Sequence, residues 1–163
     1  MNVIGIVGWK NSGKTTLASA VIRELSSRGL AVNAIKHAHH RVDVDQAGTD
    51  SYKHREAGAQ EVILAGGQRF AIMHELRGAN EPTLDELLAR LGPCDWVVVE
   101  GFKNHSHPKI EVHRRDSSHA PLYPQDTSIV AVAADYATDF SGPVFDINDV
   151  PGITDFILNR NRP

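Results

Sequence analysis

The chain has 163 residues, a formal net charge of −3 at pH 7, and 41% hydrophobic against 23% charged residues. That length suits one domain, which buries about 70% of its unfolded surface and needs no disulfide or metal staple. The charge gives no basic footprint for nucleic acid, and the single cysteine, Cys94, excludes an intrachain disulfide and fits a reducing, cytoplasmic setting. The longest apolar runs, 96–99 and 129–134, are too short to cross a bilayer, and no signal-peptide pattern opens the chain.

Residues 2–7 read as a short buried strand. Gly8-Trp9-Lys10-Asn11-Ser12-Gly13-Lys14-Thr15 follows and meets the phosphate-binding pattern G-x-x-x-x-G-K-[S/T] at every fixed position. Residues 14–28 read as a helix, with Leu17, Val21 and Leu25 four apart and Gly29 just past its end. A strand, a glycine-bearing loop and a helix N-terminus in that order form an anion-binding device: backbone N–H groups converge, and the helix dipole adds positive potential. The pattern points to a nucleoside triphosphate held by Gly8, Lys10, Asn11, Ser12, Gly13, Lys14, Thr15 and Thr16. Lys14 would reach the β- and γ-phosphates, and the Thr15 hydroxyl would ligate Mg²⁺. One branch of such ATPases carries a second lysine five residues before the invariant one; here that position is Trp9, and Lys10 is one residue off.

Residues 30–36 read as a second strand, so strand, helix and strand imply a right-handed parallel crossover. The segment 37–48 is polar and reads as a surface loop. Thr49 or Asp50 caps a short helix through Arg55, ending near Gly58. Residues 61–65 and 69–74 flank Gly66-Gly67-Gln68 and read as a hairpin, which adds antiparallel strands to the sheet and offers an edge to a second subunit. Pro82-Thr83 opens a helix with Leu84, Leu87, Leu88 and Leu91 on one face. Residues 96–99, 109–113, 128–134 and 143–145 read as further strands. Ile153, Phe156, Ile157 and Leu158 mark a last helix, and 159–163 reads as a frayed tail. The predicted class is α/β: a P-loop NTPase three-layer sandwich, mostly parallel with an antiparallel hairpin extension, in a single domain over 1–163.

In an open α/β sheet the ligand crevice lies at the carboxyl ends of the strands. The apolar strand 96–99 ends there at Glu100, which would hold a Mg²⁺-bound water or position the attacking one. Gly101 would let the backbone approach the γ-phosphate. The bland alternative is a solvated strand-end Glu. Asp45-Gln46-Ala47-Gly48 imitates a GTPase D-x-x-G signature, but no apolar strand feeds it. The guanine-reading pattern N/T-K-x-D is absent. Asp135 closes the strand 128–134 and has the chemistry to accept from guanine N1–H and the 2-amino group; a turn-forming Asp is the equal alternative. His37, His39 and His40, with Asp43 or Asp45, would suit Zn²⁺ or Ni²⁺; a polar loop binding phosphate or water is the plainer reading.

Several of these pieces together resemble a known family. They are residues 8–16, Lys36-His37-Ala38-His39-His40, Asp43-Val44-Asp45, Gly48-Thr49-Asp50-Ser51, Ala57-Gly58-Ala59 and Val99-Glu100-Gly101-Phe102-Lys103. The combination resembles the molybdopterin-guanine dinucleotide biosynthesis adaptor family, MobB, over nearly the full chain. The resemblance implies a GTP-binding protein with weak Mg²⁺-dependent GTPase activity, which assists the guanylyltransferase that converts molybdopterin to its guanine dinucleotide form. It further implies a homodimer joined through an extended sheet, contact with cofactor-dependent enzymes, and molybdopterin as a possible bound substrate. Gly13, Lys14, Thr15 and Thr16 carry over as phosphate and Mg²⁺ residues, and Glu100 and Gly101 as the metal-side strand end. Asp43, Asp50 and 37–40 carry over as a functional loop near the γ-phosphate, and Asp50 is a further candidate metal ligand beside Thr15 and Glu100. With no evident arginine finger or water-orienting glutamine, hydrolysis would be slow, at roughly 10⁻⁴–10⁻² per second. A nickel-delivery GTPase, a small-molecule kinase and a non-catalytic binding module are the alternatives.

Overall fold

The computed structural model describes residues 1–38 and 43–160. The chain divides into two compact units, 1–37 with 87–163, and 38–86.

The larger unit is built on β1 (Asn2–Val7), β2 (Val32–Lys36), β5 (Trp96–Glu100), β6 (Lys109–His113), β7 (Ile129–Ala134) and β8 (Val144–Asp146). These form one sheet in the order β2-β5-β1-β6-β7-β8, and every neighbouring pair is parallel. The two-residue side-chain period of β-strands divides the core. Ile4 and Ile6 of β1, Val98 of β5, and Ala131 and Ala133 of β7 pack with Leu17, Val21 and Leu25 of α1 (Lys14–Ser27) and Ile153 and Ile157 of α4 (Val150–Arg160). Val7, Val132 and Ala134 belong instead to a second cluster, with Leu122, Tyr123, Tyr136 and Phe140. β5 has Val97, Val98 and Val99 at 1% exposure or less, as the uninterrupted apolar run required. α4 continues through Arg160, two residues into the segment read as a frayed tail.

The smaller unit holds α2 (Asp50–Glu56), β3 (Glu61–Ala65) and β4 (Phe70–His74). Thr49 caps α2, its side chain accepting from the Tyr52 N–H. β3 and β4 pair antiparallel from Glu61↔His74 to Ala65↔Phe70. Among the described residues, these two strands make a sheet of their own. Val62 and Met73 are buried, whereas Ile63, Leu64, Phe70 and Ile72 are each more than half exposed. Inside the unit, Arg55 gathers three carboxylates: Asp43 at 3.0 Å, Asp45 at 3.1 Å and Glu75 at 2.7 Å. α3 (Leu84–Arg90) follows, and its start is a capping box. The Thr83 hydroxyl accepts from the Glu86 N–H, and the Glu86 carboxylate accepts from the Thr83 N–H.

Candidate phosphate-binding site

β1 ends at Val7, and the loop to α1 turns on backbone that few residues adopt. Gly8 has φ 143°, Asn11 φ 63° and Gly13 φ 99°. At Gly8 a side chain is barred twice: by φ, and because a Cβ would lie 2.4 Å from the Val112 carbonyl oxygen. β6 causes that crowding, since Glu111 is level with Val7 and the strand runs on beyond the end of β1. Gly13 is the N-cap of α1 and offers no side-chain cap. The first-turn N–H groups therefore keep their need for an acceptor. They border a cavity of about 360 Å³ lined by Asn11, Gly13, Lys14, Thr15 and Thr16. The Ser12 hydroxyl is buried in the loop without a partner among the described residues.

Side chains from the ends of β2 and β5 and from the start of α1 converge beside this cavity. The Thr15 hydroxyl donates to Glu100 Oε1 at 2.7 Å. Lys36 Nζ, at the end of β2, lies 3.2 Å from the same carboxylate oxygen and 3.3 Å from Thr15 Oγ1. Lys14 Nζ folds back and donates to the Trp9 carbonyl at 2.6 Å. Burial holds the Lys14 ammonium below its usual range, Glu100 works against that shift, and Lys36 and Lys103 add to it. The site is therefore cationic and short of anions, with Glu100 as its carboxylate. A hydroxyl and a carboxylate in contact are hard oxygen donors of the kind Mg²⁺ takes while keeping several waters. Thr15 and Glu100 together fit that ion.

Lys14, Thr15 and Glu100 are brought together. Gly8, Asn11, Ser12, Gly13 and Thr16 belong to the loop and the helix start, and Lys10 is an exposed residue of the same loop. Gly101 has φ 95°, and a Cβ there would come within 2.9 Å of His37 Cβ, so the close approach its missing side chain allows is to the end of β2. Asp135 is engaged by protein groups: it accepts from the Arg115 N–H at 2.8 Å and lies 3.4 Å from Arg114 Nη1. The Arg115 N–H leads in holding its carboxyl below the usual range. Asp50 belongs to the smaller unit, exposed at the start of α2 and paired with Lys53 at 3.0 Å. His37 stacks on Phe102 with ring centroids 4.6 Å apart. His39 and His40 lie outside the described residues. Among the described residues, no three of His, Cys, Asp and Glu are grouped to hold a metal.

Two residues of this region had not been singled out for it. Lys36 reaches Glu100 because β2 neighbours β5, an adjacency that local pattern does not encode. Arg114 follows the overhanging end of β6, and its Nε donates to the Ser12 carbonyl at 3.2 Å.

Residues 3–135 match the model of the family described as MobB, molybdopterin guanine dinucleotide synthesis protein B. The chain belongs to this family. It is 42% identical over 159 residues to the molybdopterin-guanine dinucleotide biosynthesis adapter protein of Haemophilus influenzae, covering 96% of this chain and 88% of that one. The Escherichia coli adapter protein is 38% identical over 159 residues, covering 96% and 91%. Among solved structures, the MobB homolog from Bacillus stearothermophilus superposes with a TM-score of 0.72 at 26% identity, covering 99% of this chain and 100% of that one. Bacillus subtilis MobB shares the fold with a TM-score of 0.78 at 23% identity, covering 99% of both chains. The mostly parallel α/β architecture expected from the sequence is thus the family's. Among the described residues, no helix is long and apolar enough to cross a membrane.

Proposed function

We propose that this chain is an adapter in the synthesis of molybdopterin guanine dinucleotide, that it binds GTP with Mg²⁺, and that it hydrolyses GTP slowly. The observation that carries the nucleotide reading is the Thr15–Glu100 contact at the mouth of an uncapped helix. Membership of the family carries the pathway. The loop amides and the α1 N-terminus would take the phosphates, and the Lys14 ammonium would exchange the Trp9 carbonyl for phosphate oxygens. The Thr15 hydroxyl would ligate Mg²⁺ directly, and Glu100 would hold one of its waters. The bound ion would neutralise charge on the β- and γ-phosphates. Arg114, lying against Ser12 and Asp135, is a cation of the chain itself beside the loop. Two copies would join through the outward apolar side of the hairpin, where Ile63 faces Ile72.

Calorimetric titration of GTP, GDP and ATP with and without Mg²⁺, followed by single-turnover phosphate release with and without the guanylyltransferase, tests the reading. Mg²⁺-dependent GTP binding that Lys14→Ala removes is the expected result. Equal GTP affinity in wild type and Lys14→Ala would overturn the site, and faster transfer to an acceptor than to water would make the chain a kinase.

A further inference from the structure

The larger unit carries a second concavity, a cleft of about 550 Å³, a volume suited to a small organic ligand. It lies between the segments 103–109 and 122–128, and Trp9 of the phosphate loop forms part of its wall.

Two ammonium groups face one carboxylate in this cleft. Lys109 is 1% exposed; its Nζ donates to Asp126 Oδ2 at 2.7 Å and to Ser128 Oγ at 2.5 Å. An ammonium has three donors, so one remains without a protein acceptor among the described residues. Lys103 has no carboxylate partner among the described residues; its Nζ sits 4.4 Å from the centroid of the Trp9 ring. The lining thus holds Lys103 and Lys109 against Asp126, one positive charge in excess. A desolvated, pre-positioned cation with an open donor suits an anionic oxygen.

The rest of the lining is suited to a polar ring. Asn104, Gln125 and Thr127 make no side-chain hydrogen bond to the protein among the described residues, and together they supply both donors and acceptors. Leu122 and the indole of Trp9 add apolar wall. The indole is itself fixed, donating from Nε1 to the Ala120 carbonyl at 2.8 Å and stacking on His119 with centroids 4.5 Å apart. A fixed aromatic and a fixed ammonium make the cleft largely pre-formed.

We propose that this cleft is a second ligand site, taking a phosphomonoester of a flat heterocycle with a 2-amino-4-oxopyrimidine edge, of which a pterin phosphate is the form selected here. Lys103 and the open donor of Lys109 hold the phosphate, and Asn104, Gln125 and Thr127 pair with the ring edge. The choice of a pterin over a guanine nucleotide, which shares that edge, rests on the functional reading above. Trp9 belongs to both the phosphate loop and the cleft wall, so one element of the chain touches both ligands.

The test is calorimetric titration of the full chain with 6-hydroxymethylpterin phosphate, with guanosine monophosphate and inorganic phosphate as separate arms. Saturable binding of one pterin phosphate per chain is expected, unchanged in Lys14→Ala and roughly tenfold weaker in Lys103→Ala and in Gln125→Ala, the loss of one charge-assisted or well-made hydrogen bond. Absence of saturable binding overturns the proposal, as does binding that Lys14→Ala abolishes, because the ligand would then occupy the phosphate loop. Equally tight guanosine monophosphate or inorganic phosphate overturns the pterin assignment. GTP is titrated into the same wild-type sample: pterin phosphate binding without GTP binding sinks the nucleotide reading and leaves the cleft standing, and the reverse sinks the cleft alone.

Discussion

Thr15 and Glu100 are 85 positions apart in the chain, yet the hydroxyl of one donates to the carboxylate of the other at 2.7 Å. Thr15 is placed by the first turn of α1, and Glu100 by the end of β5. Lys36 completes the contact by standing within 3.3 Å of both. The carboxylate is only 13% exposed, so its charge is poorly screened by water and is balanced by the lysines around it.

Thr15→Val removes the hydroxyl but leaves Glu100 paired with Lys36, so the fold should tolerate it. A bond to a charged partner is worth about 1.5–3 kcal/mol, so the Mg²⁺-dependent part of GTP affinity should fall roughly 10- to 100-fold. Glu100→Gln should act in the same direction while keeping shape. Titrations with GTP in Mg²⁺ and in a chelator measure this; a loss of equal size in both conditions would show that these residues serve phosphate rather than metal.

The hairpin presents Ile63, Leu64, Phe70 and Ile72 on open surface, with exposures of 60%, 54%, 69% and 54%. Apolar patches of this kind on an unpaired β-ribbon mark contact surfaces. Ile72→Lys places a charge opposite Ile63 in the middle of the face these two share with Phe70, and should turn a dimer into a monomer at micromolar concentration without unfolding the chain. Sedimentation velocity decides it. A wild-type chain that sediments as a monomer, or an Ile72→Lys dimer, removes the hairpin from the interface.

How much of this was legible in the sequence follows from which forces are local. Asn2–Val7 and Trp96–Glu100 were visible because buried parallel strands are short apolar runs, and Glu100 stood out as the acid that ends one. α2 was visible through Thr49, and the hairpin through Gly66-Gly67. Lys36 and Arg114 were not, because each reaches the loop only through strand order and the overhang of β6. In the sequence Trp9 stands out only as the position that lacks a second lysine. His119, given no role, is its stacking partner, a contact spanning 110 positions (119 minus 9). That the two hairpin strands make a sheet of their own had no local signal either, since alternation fixes a strand's faces and not its neighbours.

Arg55 holds the smaller unit's loop by pairing with Asp43, Asp45 and Glu75. Its guanidinium leads in lowering the Asp43 carboxyl below the usual range. For Asp45, burial pushes upward, but hydrogen bonds from Ser51, Arg55 and Thr49 outweigh it and the net shift is down. A carboxyl whose folded pKa is depressed contributes stability that is complete above its unfolded value, about 3.9, and is lost as pH falls through the lower folded values. Amide protection over 43–75 should therefore be flat from pH 7 to about pH 5 and drop below about pH 4. Arg55→Met should lower protection at neutral pH and flatten the acid limb. An acid limb of unchanged steepness in Arg55→Met would separate these carboxylates from the loop's stability.

Lys109 and Asp126 form a pair of which the lysine is 1% exposed and the aspartate side chain 27% exposed. The Asp126 carboxyl is nonetheless held below its usual range: burial raises it, and the Lys109 and Ser128 hydrogen bonds lower it further than burial raises it. Pairs of this kind cost desolvation and return it through contact, so deleting one partner is worse than deleting both. Lys109→Met leaves Asp126 partly buried and unpaired and should destabilise the chain by about 3–5 kcal/mol, whereas adding Asp126→Leu should recover a large part of that loss. Urea unfolding of the two variants and wild type measures the difference. Ser128 must also be weighed, because its hydroxyl lies against both partners and Lys109 reaches it at 2.5 Å. If the double variant is as unstable as Lys109→Met alone, the lysine stem packed against β1, where a Cβ at Gly5 would stand 2.8 Å from Lys109 Cγ, is what the position supplies, and its charge matters only to what binds in the cleft above it.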